Sequence, residues 1–214
     1  VPGVAPAKVV ILGGGVAGSN AAQVALGMGA DVSVLDINSR RMSNLDMFFP
    51  GQIKTYYSNP STIAEHVKEA DLLITAVLIP SARAPKLVSA DMVKTMKKGS
   101  VIIDIAIDQG GNVETIDRVT TLDNPVFEKY GVIHSAVPNI PSYVPKTASY
   151  AYSYAILPYL QDLGEKGTFV ALKEDDSLSC GVATFRGAVT NEALAQSLGY
   201  EHTEISVLIG FKIK

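Results

Sequence analysis

An apolar run from Val9 to Leu12 leads straight into Gly13-Gly14-Gly15-Val16-Ala17-Gly18, and a segment of helical period begins at once. Few features constrain a fold as tightly as glycines at this spacing between a strand and a helix. Gly13 admits the tight turn, Gly15 lets the main chain approach a pyrophosphate, and Gly18 lets helix and strand pack closely. Amides at the helix start, around Val16 and Ala17, then face phosphate oxygens with the positive end of the helix dipole behind them. Asp36 ends the next apolar run, about 20 residues further on, as this fingerprint requires. A carboxylate there accepts the ribose hydroxyls of an adenosine and repels a 2'-phosphate, so NAD is expected over NADP. Arg40 and Arg41 leave that preference open, because a guanidinium here either stacks on adenine or holds a 2'-phosphate. A domain that takes another adenine ligand, such as S-adenosylmethionine or FAD, or takes none, is the alternative.

The rest of the chain supplies the alternation that such a turn demands. Strands are predicted at Val9 to Leu12, Val32 to Leu35, Ile53 to Tyr57, Leu72 to Ala76, Val101 to Ile105 and Val132 to Ser135. Most are apolar throughout, as strands covered on both faces are. Helices are predicted between them at Val16 to Met28, Arg40 to Phe48, Ser61 to Ala70 and Ser89 to Met96. Gly29 stops the first, Ser61 is placed to cap the third, and Lys97-Lys98-Gly99 closes the fourth with positive charge. The order predicts an α/β fold, a doubly wound parallel sheet of the Rossmann kind, over residues 1–145.

Around Asn139 the character changes, with Pro138, Pro141 and Pro145 crowding a short segment. Thr147 to Leu163 then predicts a long helix rich in Tyr and Ala, kinked or restarted at Pro158. A short helix, a hairpin-like stretch around Thr184 to Val189 and a helix from Asn191 to Leu198 capped by Thr190 complete the chain. Residues 146–214 are too few to bury a core of their own and are expected to be a helical remnant of a second domain.

Composition narrows the possibilities. A chain of 214 residues, 47% hydrophobic and 18% charged, is globular, with room for one domain and an appendage. A net charge of -3 with scattered Lys and Arg offers nucleic acid no basic surface. The one cysteine, Cys180, excludes an internal disulfide framework and suits the cytoplasm. No apolar run approaches the ~18 to 20 residues that span a bilayer, and the start does not resemble a signal peptide, so no membrane contact is expected. A strand follows residue 1 almost at once with no initiating Met, so the chain is expected to begin inside a longer protein.

A second constellation, Ile105-Ala106-Ile107-Asp108-Gln109-Gly110-Gly111, ends the fifth predicted strand at the edge where open α/β sheets bind ligands. Asp108 would project into the crevice, where a carboxylate acts on a proton or steadies an ammonium. A turn-forming Asp ahead of two glycines is the open alternative. Asp104, inside the strand, is expected to be structural. His66, His134 and His202 are isolated in sequence, so none is expected to be catalytic and no metal-ligand spacing emerges.

Taken together, VPGVAPAKVVILGGGVAGSNAA, VLDIN, AVLIPSARAPKLV, KKGSVIIDIAIDQGG and VPNIPSYVPKTASYA closely resemble the L-alanine dehydrogenase family, over nearly the whole chain to about Leu198. That family is related to the NAD-binding subunit of proton-translocating transhydrogenase. The resemblance implies reversible oxidative deamination of L-alanine to pyruvate and ammonia with NAD. It also implies cofactor contacts at Gly13, Gly15, Val16, Ala17 and Gly18, at Asp36, Arg41 and Ser58 around the adenosine, and at Val77 and Leu78. Further contacts are implied at Ile105, Ala106, Ile107 and Asp108, at Arg118, and at Val137, Pro138, Asn139 and Ile140 over the nicotinamide, with Asp108 as the catalytic acid. A homo-oligomer, a hexamer built through the long helix, is implied as well. The family's substrate arginine, substrate lysine and catalytic histidine precede the VPGV string, so this chain is expected to be the cofactor half, partnered by an N-terminal substrate lobe. A non-catalytic NAD(H)-binding module and a transhydrogenase-like hydride-transfer subunit are the competing readings. The family's metal position on the long helix falls on Asp162 and Lys166, and a lysine there argues against a metal.

Overall fold

Val9, Val10, Ile11 and Leu12 are all 4% exposed or less, although successive strand residues face opposite ways. A strand so covered lies inside a sheet with helices on both faces. The computed structural model, which describes residues 2–80 and 82–210, shows that arrangement. Its elements are β1 (Lys8–Leu12), α1 (Val16–Gly27), β2 (Asp31–Asp36), α2 (Ser39–Phe48), β3 (Lys54–Tyr57), α3 (Pro60–Glu69), β4 (Leu72–Thr75), α4 (Ala90–Lys94), β5 (Val101–Asp104), β6 (Phe127–Lys129) and β7 (Val132–Ser135). The strands run in the order β3-β2-β1-β4-β5-β7-β6, with every pairing parallel except β6 against β7. This is the doubly wound Rossmann sheet. Val9 and Ile11 join Ala22 and Ala25 of α1 and Leu45 of α2 in one core, while Val10 and Leu12 join Ile63 and Val67 of α3 and Val93 of α4 in the other.

The predicted strands are recovered within a residue or so, and one strand was not foreseen. β6 is only three residues long and follows Pro125, so it carries no periodic signal. It pairs with β7 through a two-residue turn in which Tyr130 (φ 59°) and Gly131 (φ 77°) are both left-handed, the geometry of a type I' hairpin.

Two caps also differ. α3 begins at Pro60, and its cap is Asn59, whose side chain accepts the amides of Ser61 and Thr62 while Thr62 Oγ1 accepts the Asn59 amide. Proline is well placed at that first position because its missing N–H has no helical partner there. The helix after Ser89 ends at Lys94, capped by Thr95, so Lys97-Lys98-Gly99 lies beyond it.

Side-chain ion pairs hold the N-terminal ends of the strands. Lys8 pairs with Glu69, Lys54 with Asp31 at 2.8 Å, and Lys97 with Asp71 at 2.7 Å. Those carboxylates push the Lys8 and Lys54 ammonium groups above the ordinary lysine value, and the Lys97 ammonium holds the Asp71 carboxyl below the ordinary carboxylate value.

Contacts divide the chain into two units, one running to Ile79 and resuming over Arg83–Asn139, the other holding Pro80–Ala82 and Ile140 onward. The second unit contains α5 (Pro145–Glu174), α6 (Asp176–Cys180), β8 (Thr184–Phe185), β9 (Ala188–Val189), α7 (Glu192–Leu198) and α8 (Ile205–Ile209). Pro158 lies inside α5, yet the dihedral break falls at Gly167 (φ 73°, ψ 160°). A glycine adopts that conformation without a Cβ penalty, whereas the proline ring holds φ near the helical value. Arg186 (φ 51°) and Gly187 (φ 84°) make the β8–β9 turn. The cap of α7 is Asn191, whose side chain accepts the Leu194 amide, while the Thr190 hydroxyl donates to Val182 O instead. Leu172, Ile205 and Ile209 form a small core with Leu178, Val182 and Phe185. Among the described residues no helix is long and apolar enough to cross a membrane.

Candidate functional site

Three turns emerge from the C-terminal ends of the adjacent strands β1, β4 and β5, where the chain has wound outward in both directions from β1. Crevices at such a switch point are where open α/β sheets take ligands. Each glycine of the first turn has its own cause. Gly13 has φ 99°, and a Cβ there would lie 2.9 Å from Ala76 O and 3.0 Å from Val77 Cγ2. A Cβ on Gly18 would lie 1.8 Å from Gly13 O. Gly15 is different, because nothing stands within 4 Å of its Cβ position. Packing does not demand a glycine there, so the space is left for something outside the chain to approach. The caps agree. α2, α3 and α4 each have a side-chain cap, whereas α1 starts at Gly15 with none. Amides at the start of α1 are thus open to an anion, and Val16 beside them is 83% exposed.

Asp36 ends β2 and is 5% exposed. Its Oδ2 accepts the Gly14 amide at 2.7 Å and its Oδ1 accepts the Asn38 amide at 2.8 Å. Arg41 Nη1 lies 3.5 Å from Oδ2, on a side chain that is 55% exposed. Ser58, at the end of β3, is beside this group, its amide donating to Asp36 O at 2.9 Å. The carboxylate therefore shapes the glycine turn, a role that spacing alone did not reveal. Two oxygens carry about four acceptor sites, so the two amides leave room for hydroxyl donors.

On the far side of β4, the turn Ile105–Gln109 is folded by Asp104. This carboxylate is 1% exposed and accepts the amides of Ala106 (3.0 Å), Asn112 (2.7 Å) and Val113 (3.2 Å). The structural expectation for Asp104 holds. Asp108 is exposed, and its two oxygens take the Asn139 amide at 3.2 and 2.9 Å. Asn139 sits at φ 48°, a conformation that asparagine tolerates better than most residues. Thr120 anchors the start of that loop, exchanging hydrogen bonds with the main chain of Ala136 at 2.9 and 3.0 Å. Val137 and Pro138 follow, half-buried.

The structure thus brings Gly13 against Val77, Asp36 against Gly14 and Ser58, and Asp108 against Asn139. Leu78 is 53% exposed next to Val77. Arg118 is engaged elsewhere: its Nε donates to Asp117 at 2.8 Å and its guanidinium lies over Phe127 of β6 at 4.9 Å. Arg118 and Lys129 together hold the Asp117 carboxyl down to about 2. Ile140 opens the second unit, in the 3-10 turn Ile140–Tyr143. His134 is fully buried, stacked on Phe127, with Nδ1 donating to Val132 O and Nε2 accepting from Thr115 Oγ1. Burial holds its imidazole below the ordinary histidine value. Among the described residues no cluster of His, Cys, Asp or Glu is arranged to hold a metal, and Lys166 pairs with Asp162 and Glu174. Sequence reasoning missed Asn112, whose side chain is tied to Val77. No pattern marks it, since its importance comes from partners distant in the chain.

Chemically, the turn of β1 suits an anionic diphosphate flanked by a ribose at Asp36, and Asp108 places an exposed carboxylate at the opposite side of β4. The family model described as Alanine dehydrogenase/PNT, C-terminal domain, matches residues 1–192. The chain belongs to this family. Among curated relatives of this alanine dehydrogenase/PNT domain, the alanine dehydrogenase of Bacillus subtilis is 54% identical over 202 residues, covering 94% of this chain and 53% of the relative. That of Methanococcus maripaludis is 54% identical over 203 residues, covering 95% and 54%. A solved L-alanine dehydrogenase superposes with a TM-score of 0.81 at 47% identity, covering 93% of this chain and 55% of that one. A transhydrogenase from Sinorhizobium meliloti gives 0.68 at 30% identity, covering 88% and 51%. The chain spans about half the length of the curated relatives it matches.

Proposed function

We propose that this chain is the cofactor-binding half of an NAD-dependent alanine dehydrogenase. The observation that carries the reading is an uncapped α1 behind the open Gly15 position, with Asp36 closing the same turn, in a chain 54% identical to an alanine dehydrogenase. Amides of Val16 and Ala17 bind the pyrophosphate, and Asp36 orients the adenosine ribose beside Ser58 and Arg41. Val77 and Leu78 wall the crevice, with Ile105, Ala106 and Ile107 along its other side. Gly13 and Gly18 give the turn its shape. NAD, when bound, supplies the acceptor for the hydride that leaves the alanine α carbon.

Asp108 takes part in the proton transfers that accompany loss of that hydride and attack of water on the resulting imine, which ends as pyruvate and ammonia. Val137, Pro138, Asn139 and Ile140 cover the nicotinamide end. Arg118 belongs to the cofactor shell only if its guanidinium leaves Asp117. The catalytic partners of Asp108 come from a further lobe corresponding to the rest of the relatives' length, and residues 146–214 complete that lobe, leaving 1–145 as the NAD-binding domain.

A homo-oligomer is supported by exposed Tyr150, Tyr152, Tyr154, Leu157 and Leu160 on α5, an apolar surface that solvent does not favour. The single Cys180 suits the cytoplasm. The test is turnover of L-alanine with NAD, followed as NADH absorbance, with this chain alone and with the remaining lobe added. Turnover only in the mixture supports the reading. NADH binding without turnover in the mixture favours a binding module, and absence of NADH binding rejects the cofactor assignment.

A further inference from the structure

Asn112 is fully buried in the turn after β5, and all its polar groups are engaged. Its Oδ1 accepts the Val77 amide at 3.1 Å, and its Nδ2 donates to the carbonyls of Val77 and Pro85, each at 3.0 Å. Its own amide donates to Asp104 Oδ2 at 2.7 Å, and its carbonyl accepts from Leu87 and Val88 at 2.8 and 3.1 Å. Engaging both the amide and the carbonyl of one residue is what a neighbouring strand would do. The need is clear from the ladder. β4 ends at Thr75, and the Ala76 amide still donates to Leu12 O at 2.8 Å. Val77 is the next residue, and Asn112 supplies the pairing there. Val77 in turn confronts Gly13, its Cγ2 3.0 Å from the Cβ position of that glycine.

We propose that Asn112 is a positioning residue of the dinucleotide site. Its side-chain amide sets Val77 against the glycine turn and ties both to the segment that carries Asp108. The inference rests on the cofactor reading above and assigns the spacing between two walls of that crevice to one side chain. Asn112 touches neither cofactor nor substrate and acts through Val77.

The test is a double-mutant cycle on the 214-residue chain with NADH as the probe, read as nicotinamide fluorescence below the melting temperature of every variant. Asn112→Ala is expected to raise the Kd for NADH by about tenfold, which corresponds to ~1.4 kcal/mol. Val77→Ala is expected to weaken NADH as well, and the double variant to be no weaker than the weaker single one, because the two act as a unit. Amide exchange at Val77 should quicken in Asn112→Ala. If Asn112→Ala is not folded, Asn112→Asp, which keeps the shape and the acceptor for Val77, takes its place with the same expectations. A folded variant that melts lower but binds NADH within about twofold of the unsubstituted chain, or a cycle that is additive, overturns the proposal. Failure of the unsubstituted, folded chain to bind NADH overturns the cofactor reading and this inference with it.

Discussion

Oδ2 of Asp36 lies 2.7 Å from the backbone nitrogen of Gly14, so the residue that ends β2 also pins the turn that follows β1. Asp36→Ala is therefore expected to do two things. It should weaken NADH and narrow the preference over NADPH, and it should lower stability by about 1–3 kcal/mol, because the buried Gly14 amide loses its acceptor. Titration with both cofactors and a denaturant melt check this. Asp36→Asn, which keeps one acceptor oxygen, should recover part of the stability and little of the preference. An unchanged preference in Asp36→Ala would reject the ribose assignment.

The glycines of the turn should separate under substitution. Gly18→Ala forces a Cβ to within 1.8 Å of Gly13 O, and the chain is expected not to fold into a stable sheet. Gly15→Ala meets nothing within 4 Å, so it should fold with an unchanged melting temperature yet bind NADH at least about tenfold more weakly. Circular dichroism and NADH titration distinguish the two. Tight NADH binding by Gly15→Ala would mean that the pyrophosphate lies elsewhere.

Asp108→Asn is expected to preserve NADH affinity and the Asn139 loop, because an amide oxygen still accepts the Asn139 N–H. In the mixture with the further lobe proposed above, turnover should fall by about 100-fold or more. Asp108→Ala removes the acceptor as well, and Asn139, held at φ 48°, should then relax. Faster proteolysis near Asn139 in Asp108→Ala but not in Asp108→Asn is the expected signature. Equal loss of NADH binding in both would make Asp108 a cofactor ligand.

His134 should make stability pH-dependent with a definite sign. Its folded value is depressed by burial, so the folded state favours the neutral ring and the unfolded chain binds the proton more readily. Stability from this residue is complete above the ordinary value of 6.5 and declines as pH falls below it towards the depressed folded value. Melting temperatures from neutral to mildly acid pH should drop less in His134→Gln than in the unsubstituted chain. The ion-paired carboxylates, held below their ordinary values, contribute stability that is complete at neutral pH and is lost only as pH falls through the carboxylate range, below the range of His134.

Much of the first unit was legible because its central strands β1 and β4 are buried on both faces and read as unbroken apolar runs. The glycine turn was legible for a stronger reason: Gly13 and Gly18 are each demanded by a named atom. β6 escaped because Phe127, Glu128 and Lys129 are paired only through a Tyr130-Gly131 turn, which lacks the Asn-Gly or Asp-Gly signature of such hairpins. Asn59 escaped as a cap because Ser61 is an equally good cap in isolation, and only the chain entering at Pro60 decides between them. The double duty of Asp36 and the reach of Asn112 depend on residues brought close by crossovers, which no local pattern encodes.

The two rims of the sheet differ in how they are fastened, and this has an evolutionary consequence. At the N-terminal rim, side chain meets side chain in Lys8 with Glu69 and Lys54 with Asp31. Such pairs are free to exchange charge by compensating substitutions and still attract. At the C-terminal rim, Asp36, Asp104 and Asn112 hold main-chain groups of Gly14, Ala106 and Val77. A backbone amide cannot mutate in response to a change in its partner, so drift among related chains should accumulate as swapped pairs at one rim and be arrested at the other.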